Sequence, residues 1–323
     1  MLYINIIDDQ QLIFDEMAAP TCRADEVLVE VKAIGINRAD ILQRQGKYPA
    51  PKGESAVLGI EICGDIIQCG CAVKQWHIGQ RVFALVAGGG YAQVVSVKAV
   101  HLMVLPKSLT YQQGAALAEV FLTAYQSLYM IGQLKVNDNV LIHAGASGVG
   151  SAAIQLAKAS ECVVVVTVSS QEKADACIAL GADHAIVYRD QDFAAWSHQH
   201  LPSGFNVIVD VVAGEYLNKN INCAALDARL VVLSMLAGRF SAPVDIAKLL
   251  QKRLTISAST LRNRSDKYKQ ILVNQFVDQF HSLVADQKIT AVIDTVYPWQ
   301  DVEKAHQRML NNENIGKLIL QVN

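Results

Sequence analysis

Charge is scarce and balanced in this chain. Of its 323 residues 18% are charged, and 28 lysines and arginines meet 30 acids for a formal net charge of −2. No block of like charge occurs, which argues against a nucleic-acid or anionic-membrane surface as partner. Long apolar runs are missing too. Runs such as CVVVV at 162–166 have the length of a strand, whereas a membrane-spanning helix needs roughly 20 apolar residues. The opening MLYINIIDDQ puts no basic segment ahead of an apolar core, so no signal peptide is expected. Cysteines number seven, odd and scattered, as suits a reducing cytoplasm rather than a disulfide framework. The eight histidines form no H-x-x-x-H or H-E-x-x-H pair, and His198 and His200 in WSHQH read as a solvated loop. Ser147 is not the serine of a G-x-S-x-G elbow, because Gly148 follows it directly, so serine-hydrolase chemistry is not expected. Internal repeats, linkers and low-complexity segments are absent.

What remains is a well-packed composition, 52% hydrophobic, written in two kinds of text. Up to about residue 105, short strands alternate with glycine-bearing turns at Gly46, Gly53, Gly59, Gly64, Gly70 and Gly79. VLVEVKAIGI (27–36) partly alternates apolar and polar residues, as a half-buried strand does. This predicts an irregular, mostly antiparallel β domain. From about 110 the text changes to helix AALAEVFLTAYQSLYMIG, then to apolar strands each followed by a helix: VLIHAG, VVVVTV, AIVY, NVIVDVV, RLVVLSML and LTISAST. That order predicts a parallel sheet covered on both faces. A long amphipathic helix (268–288) and a mixed tail ending in KLILQV follow, and the tail could rejoin the first domain.

The stretch VLIHAGASGVG (140–150) places glycines between a buried strand and a helix. In a doubly wound sheet this first turn faces the ligand crevice, where missing Cβ atoms and unpaired helix N–H groups accept a pyrophosphate. Ser147 and the amides of Gly148, Val149 and Gly150 are the candidate phosphate contacts. The spacing is G-x-x-G-x-G rather than G-x-G-x-x-G, and a tight turn without ligand would read the same. Its place at the head of an alternating α/β run favours a dinucleotide. The second strand closes on Ser169 and Ser170 with Lys173 just beyond, and no acid stands at the strand end. Two hydroxyls and an ammonium suit the 2′-phosphate of NADPH. A plain helix cap with a solvated lysine is the alternative, and nearby Glu172 keeps NADH open.

GINRADILQRQGKY, LGIEICGDI, GGGYAQ, LTAY, HAGASGVGSAAIQLAK and NIGK together resemble the zinc-independent quinone oxidoreductases of the medium-chain dehydrogenase/reductase superfamily, closest to the p53-inducible branch. The resemblance runs over essentially the whole chain. It implies an α/β fold: a GroES-like β domain (1–120 with 290–323) and a Rossmann doubly wound parallel-sheet domain (121–289). It also implies NADPH as cofactor, a cytoplasmic homodimer and a small quinone as substrate. A strand such as LTISAST could pair with its twin across the dimer axis.

The superfamily's alcohol dehydrogenases hold a catalytic zinc. Where their first ligand stands this chain has Asn37, and where their histidine precedes a glutamate it has Ile60 before Glu61. Cys69 and Cys71 make only C-G-C, with Cys63 further upstream, so these thiols read as small buried apolar groups and no metal is expected. A quinone needs no metal: it is already electrophilic, and hydride addition yields a stabilised hydroquinone anion. The protein has to orient it and offer hydrogen bonds to the oxygen gaining charge. Asn37 and Tyr48 are the catalytic candidates, the first by its amide N–H, the second by its phenol and its ring, although Tyr48 could be a plain turn aromatic before Pro49. Asp40 orients neighbours or merely begins a helix. By resemblance, Thr123 meets the nicotinamide side, Tyr188 contacts the adenosine or phosphate end, and Ser234 and Leu236 in SMLAG border the nicotinamide. Lys317 in NIGK helps hold the cofactor or only snorkels from an edge strand. Arg262 and Arg264 gate the pocket or pair with surface acids. Two other functions fit the same text: an enone or enoyl-thioester reductase, and a non-catalytic NADPH-binding protein.

Overall fold

A computed structural model describes residues 1–322, Asp9 by its backbone alone. The chain divides into two compact units, one of Met1–Leu122 together with the residues from Leu261 onward, the other Thr123–Thr260.

The first unit is built on a seven-stranded sheet. Its strands lie in the order Ile293–Pro298, Lys317–Gln321, Glu26–Gly35, Glu61–Cys69, Arg81–Leu85 and Leu102–Val104, with Val94–Lys98 also pairing to Glu26–Gly35. All the pairings are antiparallel except that of Ile293–Pro298 with Lys317–Gln321. The C-terminal tail therefore completes the sheet that the N-terminal residues begin. Glu26–Gly35 is not the half-buried strand its text suggests. Only Glu30 is exposed and Lys32 half-exposed, and Val27, Val29, Val31 and Ile34 pack in this unit's core. Gly64 is required within this sheet: a Cβ there would run into the Glu30 carbonyl on the paired strand.

The second unit is a six-stranded, all-parallel sheet. Its spatial order is His184–Val187, Val163–Val168, Asn139–His143, Phe205–Asp210, Ala224–Val232 and Thr255–Ala258. Numbered along the chain this is 3-2-1-4-5-6, the doubly wound order whose switch point falls between the first and fourth strands. The helices Gly148–Ala159, Gln171–Ala179, Phe193–His200, Tyr216–Cys223 and Ile246–Lys252 connect them. The apolar runs become strands because both faces are covered: Val140, Leu141, Ile142, Val164, Val165 and Val166 have no exposed surface.

Two stretches differ from the expectation. WSHQH is the end of helix Phe193–His200, capped by Asp192, whose carboxylate accepts from the Ala194 and Ala195 N–H groups. Phe193 and Trp196 bury the helix's inner face, and the His200 ring stacks on Trp196. The long helix Asp266–Ala285 belongs with the β-rich unit, so the second unit ends at Thr260 rather than near 289. The partners of that helix explain the difference. Phe276 packs against Phe121, ring centroids 6.1 Å apart, the His281 ring bonds the Val104 carbonyl at 2.9 Å, and Ser108 donates to the Ala285 carbonyl at 2.9 Å. An apolar stripe shows that a helix will dock, not on which unit.

Phe276 is 1% exposed at the centre of that contact. Phe276→Ala should lower the unfolding free energy of the β-rich unit by about 3–5 kcal/mol, read by urea denaturation. A loss below about 1 kcal/mol would mean that the helix does not depend on this docking.

Candidate active site

The β-rich unit gathers its polar side chains where strand Glu26–Gly35 ends and helix Arg38–Arg44 begins. Asn37 caps that helix. Gly35 makes the approach possible, since a Cβ there would collide with the Ala115 carbonyl and the Glu61 carboxylate. Lys317 enters from the neighbouring strand and gives its ammonium to three acceptors: Ile36 O at 2.8 Å, Asn37 Oδ1 at 2.6 Å and Glu61 Oε2 at 2.7 Å. Glu61 Oε2 also accepts from Asn37 Nδ2 at 3.1 Å, and its Oε1 accepts from the Glu119 N–H at 2.9 Å, at the start of helix Ala118–Tyr125. Asn37 Nδ2 has a second acceptor in Gly35 O, at 3.0 Å. Glu61 is 0% exposed and Lys317 3%, so the pair persists only because each charge faces the other and every remaining polar position is filled.

Asp40 lies beside this cluster and is fully buried. Its carboxylate accepts from the Asn37 N–H at 2.8 Å, the Gly59 N–H at 3.2 Å and the Tyr91 hydroxyl at 3.4 Å. It therefore both starts the helix and orients its neighbours. Burial pushes its carboxyl up to about 6, against the pull of the Asn37 N–H, the Lys317 and Arg262 charges and the Gly59 N–H. The native state thus holds this proton more tightly than the unfolded chain, whose value is 3.8. The stability it contributes is present below that value and lost as pH rises through about 6. Tyr91 also meets His306 Nε2 at 2.9 Å. Burial, then the nearby Arg44 charge, hold that imidazole neutral, down to about 3.

Tyr48 sits in the loop after the same helix, half-buried, its N–H on the Leu42 carbonyl at 3.2 Å. Its hydroxyl makes no hydrogen bond among the described residues. Burial raises the phenol, Arg262 pulls it back and Glu119 adds to the rise. Arg262 is not a surface residue paired with acids: it is 4% exposed and bonded to main-chain and amide oxygens.

In the parallel-sheet unit, the remaining sequence candidates from Ser147 to Leu236 collect at the C-terminal ends of the strands. Ser147 caps helix Gly148–Ala159, its Oγ accepting from the Gly150 N–H at 3.0 Å. That uses one of the expected phosphate donors and leaves the N–H groups of Gly148 and Val149 without an acceptor among the described residues. Gly150 serves packing, since a Cβ there would meet the Ala144 carbonyl. The turn is tight enough to put Ala144 itself at φ 54°. Beneath it His143 is 1% exposed and bridges Thr167 Oγ1 at 2.9 Å and Asn220 Oδ1 at 2.7 Å. Asn220 in turn donates to Asp210 at 2.9 Å, and Asp210 accepts from the Val212 and Ala213 N–H groups of the loop at the switch point.

Ser169, Ser170 and Lys173 follow the second strand, and Tyr188, 44% exposed, stands next to them with its N–H on Val168 O at 3.0 Å. Ser170 caps its helix through the Lys173 N–H at 3.4 Å. Ser234 and Leu236 follow the fifth strand, where the Leu236 N–H reaches Val211 O at 3.3 Å. Thr123 is in the last turn of helix Ala118–Tyr125 and accepts the Ser127 hydroxyl at 2.7 Å. Lys317 stands apart from these. It lies on an inner strand of the other unit rather than an edge, it does not reach solvent, and its ammonium is spent on the three acceptors named above. Glu61, Gln43 and the His143–Asn220–Asp210 chain were not singled out from the sequence. A charge flanked by isoleucines on both sides, in LGIEICGDI, was the available signal for Glu61.

The donor set does not fit a catalytic zinc. The only oxygen of the Asn37 side chain already faces an ammonium, Ile60 is apolar, and a cation placed there would stand against Lys317. No three His, Cys, Asp or Glu side chains come together among the described residues in a way that could hold a metal. Cys63 is buried as expected, whereas Cys69 is half-buried and Cys71 exposed.

Residues 23–107 match the alcohol dehydrogenase GroES-like domain and residues 148–279 match the zinc-binding dehydrogenase family. The chain belongs to the medium-chain dehydrogenase/reductase superfamily and has its pair of domains, GroES-like and pyridine-nucleotide-binding in fold. Among curated relatives, the synaptic vesicle membrane protein VAT-1 homolog of Danio rerio is 30% identical over 315 residues. That alignment takes in 93% of this chain and 65% of the relative, so the chain spans just under two thirds of that protein's length. Escherichia coli quinone oxidoreductase, solved with NADPH, superposes with a TM-score of 0.87 at 27% identity, covering 99% of this chain and 98% of the other. CurK enoyl reductase, at 24% identity and a TM-score of 0.87 over 100% of this chain and 99% of the other, shares the fold. No helix among the described residues is long and apolar enough to cross a membrane.

Lys317→Met leaves the Glu61 carboxylate buried without its counter-charge. It should cost about 3–5 kcal/mol in chemical denaturation, and adding Glu61→Gln should recover part of the loss. A Lys317→Met variant within about 1 kcal/mol of the parent would show that the pair does not hold this corner.

Proposed function

We propose that the chain is an NADPH-dependent reductase of small planar quinones that works by hydride transfer without a metal, in the manner of the zinc-independent quinone oxidoreductases and close to their p53-inducible branch. The observation that carries the reading is how the polar groups of the β-rich unit are used. Glu61, Lys317, Asn37 and Asp40 are occupied with one another, so none of these four stands free to act as nucleophile or base. The half-buried Tyr48 phenol is left with a hydroxyl to offer. An acceptor that asks only for a hydride and a hydrogen bond to its oxygen is a quinone.

The coenzyme supplies the hydride. The chain's own part is to bind and orient. The Gly148 and Val149 N–H groups, at the positive end of a 12-residue helix, suit the diphosphate. Ser169, Ser170 and Lys173, with no acid at the strand end, suit a 2′-phosphate and so favour NADPH over NADH. Asn37, held from both sides, shapes the site rather than donating freely, and Tyr48 supplies the hydrogen bond to the oxygen gaining charge. The exposed edge strand Thr255–Ala258 suits pairing with a second copy, which supports a homodimer. A cytoplasmic setting accords with the free cysteines.

NADPH oxidation followed by absorbance across a panel of acceptors tests the reading. Turnover is expected with 1,4-benzoquinone and 9,10-phenanthrenequinone, undiminished by chelators and much slower with enones. Turnover confined to enones or enoyl thioesters would contradict the quinone assignment. NADPH binding with no turnover on any acceptor would contradict catalysis itself.

A further inference from the structure

Arg262 is a buried cation that the function above leaves without a task. Its side chain is nearly sealed from solvent, yet among the described residues no carboxylate forms an ion pair with it. Nε donates to the Ala87 carbonyl at 2.6 Å, one terminal nitrogen to Gln43 Oε1 at 2.7 Å, and the other reaches toward the Tyr48 carbonyl at 3.5 Å. Gln43 is itself oriented, its Nε2 donating to Ala56 O at 2.7 Å. The Arg262 carbonyl accepts from buried Lys269 at 2.8 Å. One guanidinium thus ties helix Arg38–Arg44, the loop that follows it and the loop after strand Arg81–Leu85.

Bracing alone does not account for a charge. Burying a guanidinium without a carboxylate in contact costs desolvation, and burial does lower its pKa, with Asp40, Tyr48 and Glu54 opposing. An amide could hold the same loops at less cost. The charge also faces an aromatic ring: the guanidinium carbon lies over Tyr48, 5.6 Å from its centroid. A planar, permanently charged fork can hold two carbonyl-type oxygens and lie over a ring together, which an ammonium cannot do as well.

We propose that Arg262 is a positioning residue of the reductase, fixing the 46–49 loop and keeping the Tyr48 phenol ready to give its proton to the acceptor oxygen that gains charge. This rests on the function proposed above. Once a hydride has reached the acceptor, its two electrons leave a negative oxygen. The Tyr48 O–H bond breaks, an O–H bond forms on the acceptor, and the phenolate left behind faces Arg262 until solvent returns a proton. The balance is one acceptor, one hydride and one proton in, one reduced acceptor out. The substrate class follows: a planar acceptor whose oxygen, rather than only its carbon, needs a donor.

The test begins without substrate. In the free protein carrying tyrosine labelled with 13C at Cζ, Tyr48 is assigned by its loss in Tyr48→Phe and titrated by NMR. Arg262→Met should move its titration upward by about one pH unit, and Arg262→Lys by less. With a quinone, Arg262→Met should lower kcat about tenfold or more at nearly constant KM for NADPH. Combined with Tyr48→Phe it should be no slower than Tyr48→Phe alone, because the two act as one unit. If Arg262→Met does not fold, Arg262→Lys carries the test by the same two readouts. A Tyr48 titration unmoved in the folded variant, or losses in kcat that multiply independently, would overturn the proposal. Absence of turnover in the parent protein would instead refute the proposed function, and the NMR titration would still decide whether Arg262 governs Tyr48.

Discussion

The ion pair between Lys317 and Glu61, 2.7 Å long and closed to solvent, is the constraint on which the β-rich unit's polar site depends. Neither charge could remain there alone. Lys317 comes from near the C-terminus and Glu61 from the N-terminal part, so the pair also joins the two ends of the chain that make up this unit. Through it Asn37 is held at its amide oxygen and its amide nitrogen, and the first turn of helix Ala118–Tyr125 is fixed by the other carboxylate oxygen. A cation in the form of an ammonium, supplied by the chain itself, stands where the first metal ligand's counterpart presents its oxygen. That is the physical reason this donor set does not suit a metal.

The parallel-sheet unit meets a different requirement. The runs VLI and VVVV at its centre are apolar and sealed, and the switch point of the 3-2-1-4-5-6 order falls between its first and fourth strands. The turn after the first strand offers two N–H groups without an acceptor among the described residues rather than the larger set its glycines suggest, because Ser147 takes the third for its own cap. Underneath, the His143–Asn220–Asp210 chain connects that strand to the loop after the fourth, so the two sides of the crevice are built as one hydrogen-bonded piece.

Much of this was legible from residues alone where local pattern decides. VLIHAG and VVVVTV are buried strands, Gly148 begins a helix, and KLILQV returns to the first sheet. The misreadings arose where a distant partner decides. The 266–285 helix announces an apolar face but not that Phe121 will receive it. HQH in WSHQH suggested solvent, while the buried Phe193 and Trp196 just ahead of it carried the helix. For Arg262 in SASTLR the sequence left pocket and surface both open, and Ala87, Gln43 and Tyr48, all distant in the chain, decide against the surface. The Lys317–Glu61 pair spans a separation of 256 residues, and one sequence shows only two charges, each out of place in an apolar run.

The most direct measurement of the central claim is a titration of the 15N-labelled protein with NADPH, followed at the amides of Gly148 and Val149. If their N–H groups hold the diphosphate, both resonances should move more than those of the helix's later turns, and saturate with the same dissociation constant as the change in coenzyme fluorescence. Absence of affinity for either reduced nicotinamide coenzyme, or saturable binding that leaves these two amides in place, would contradict the account.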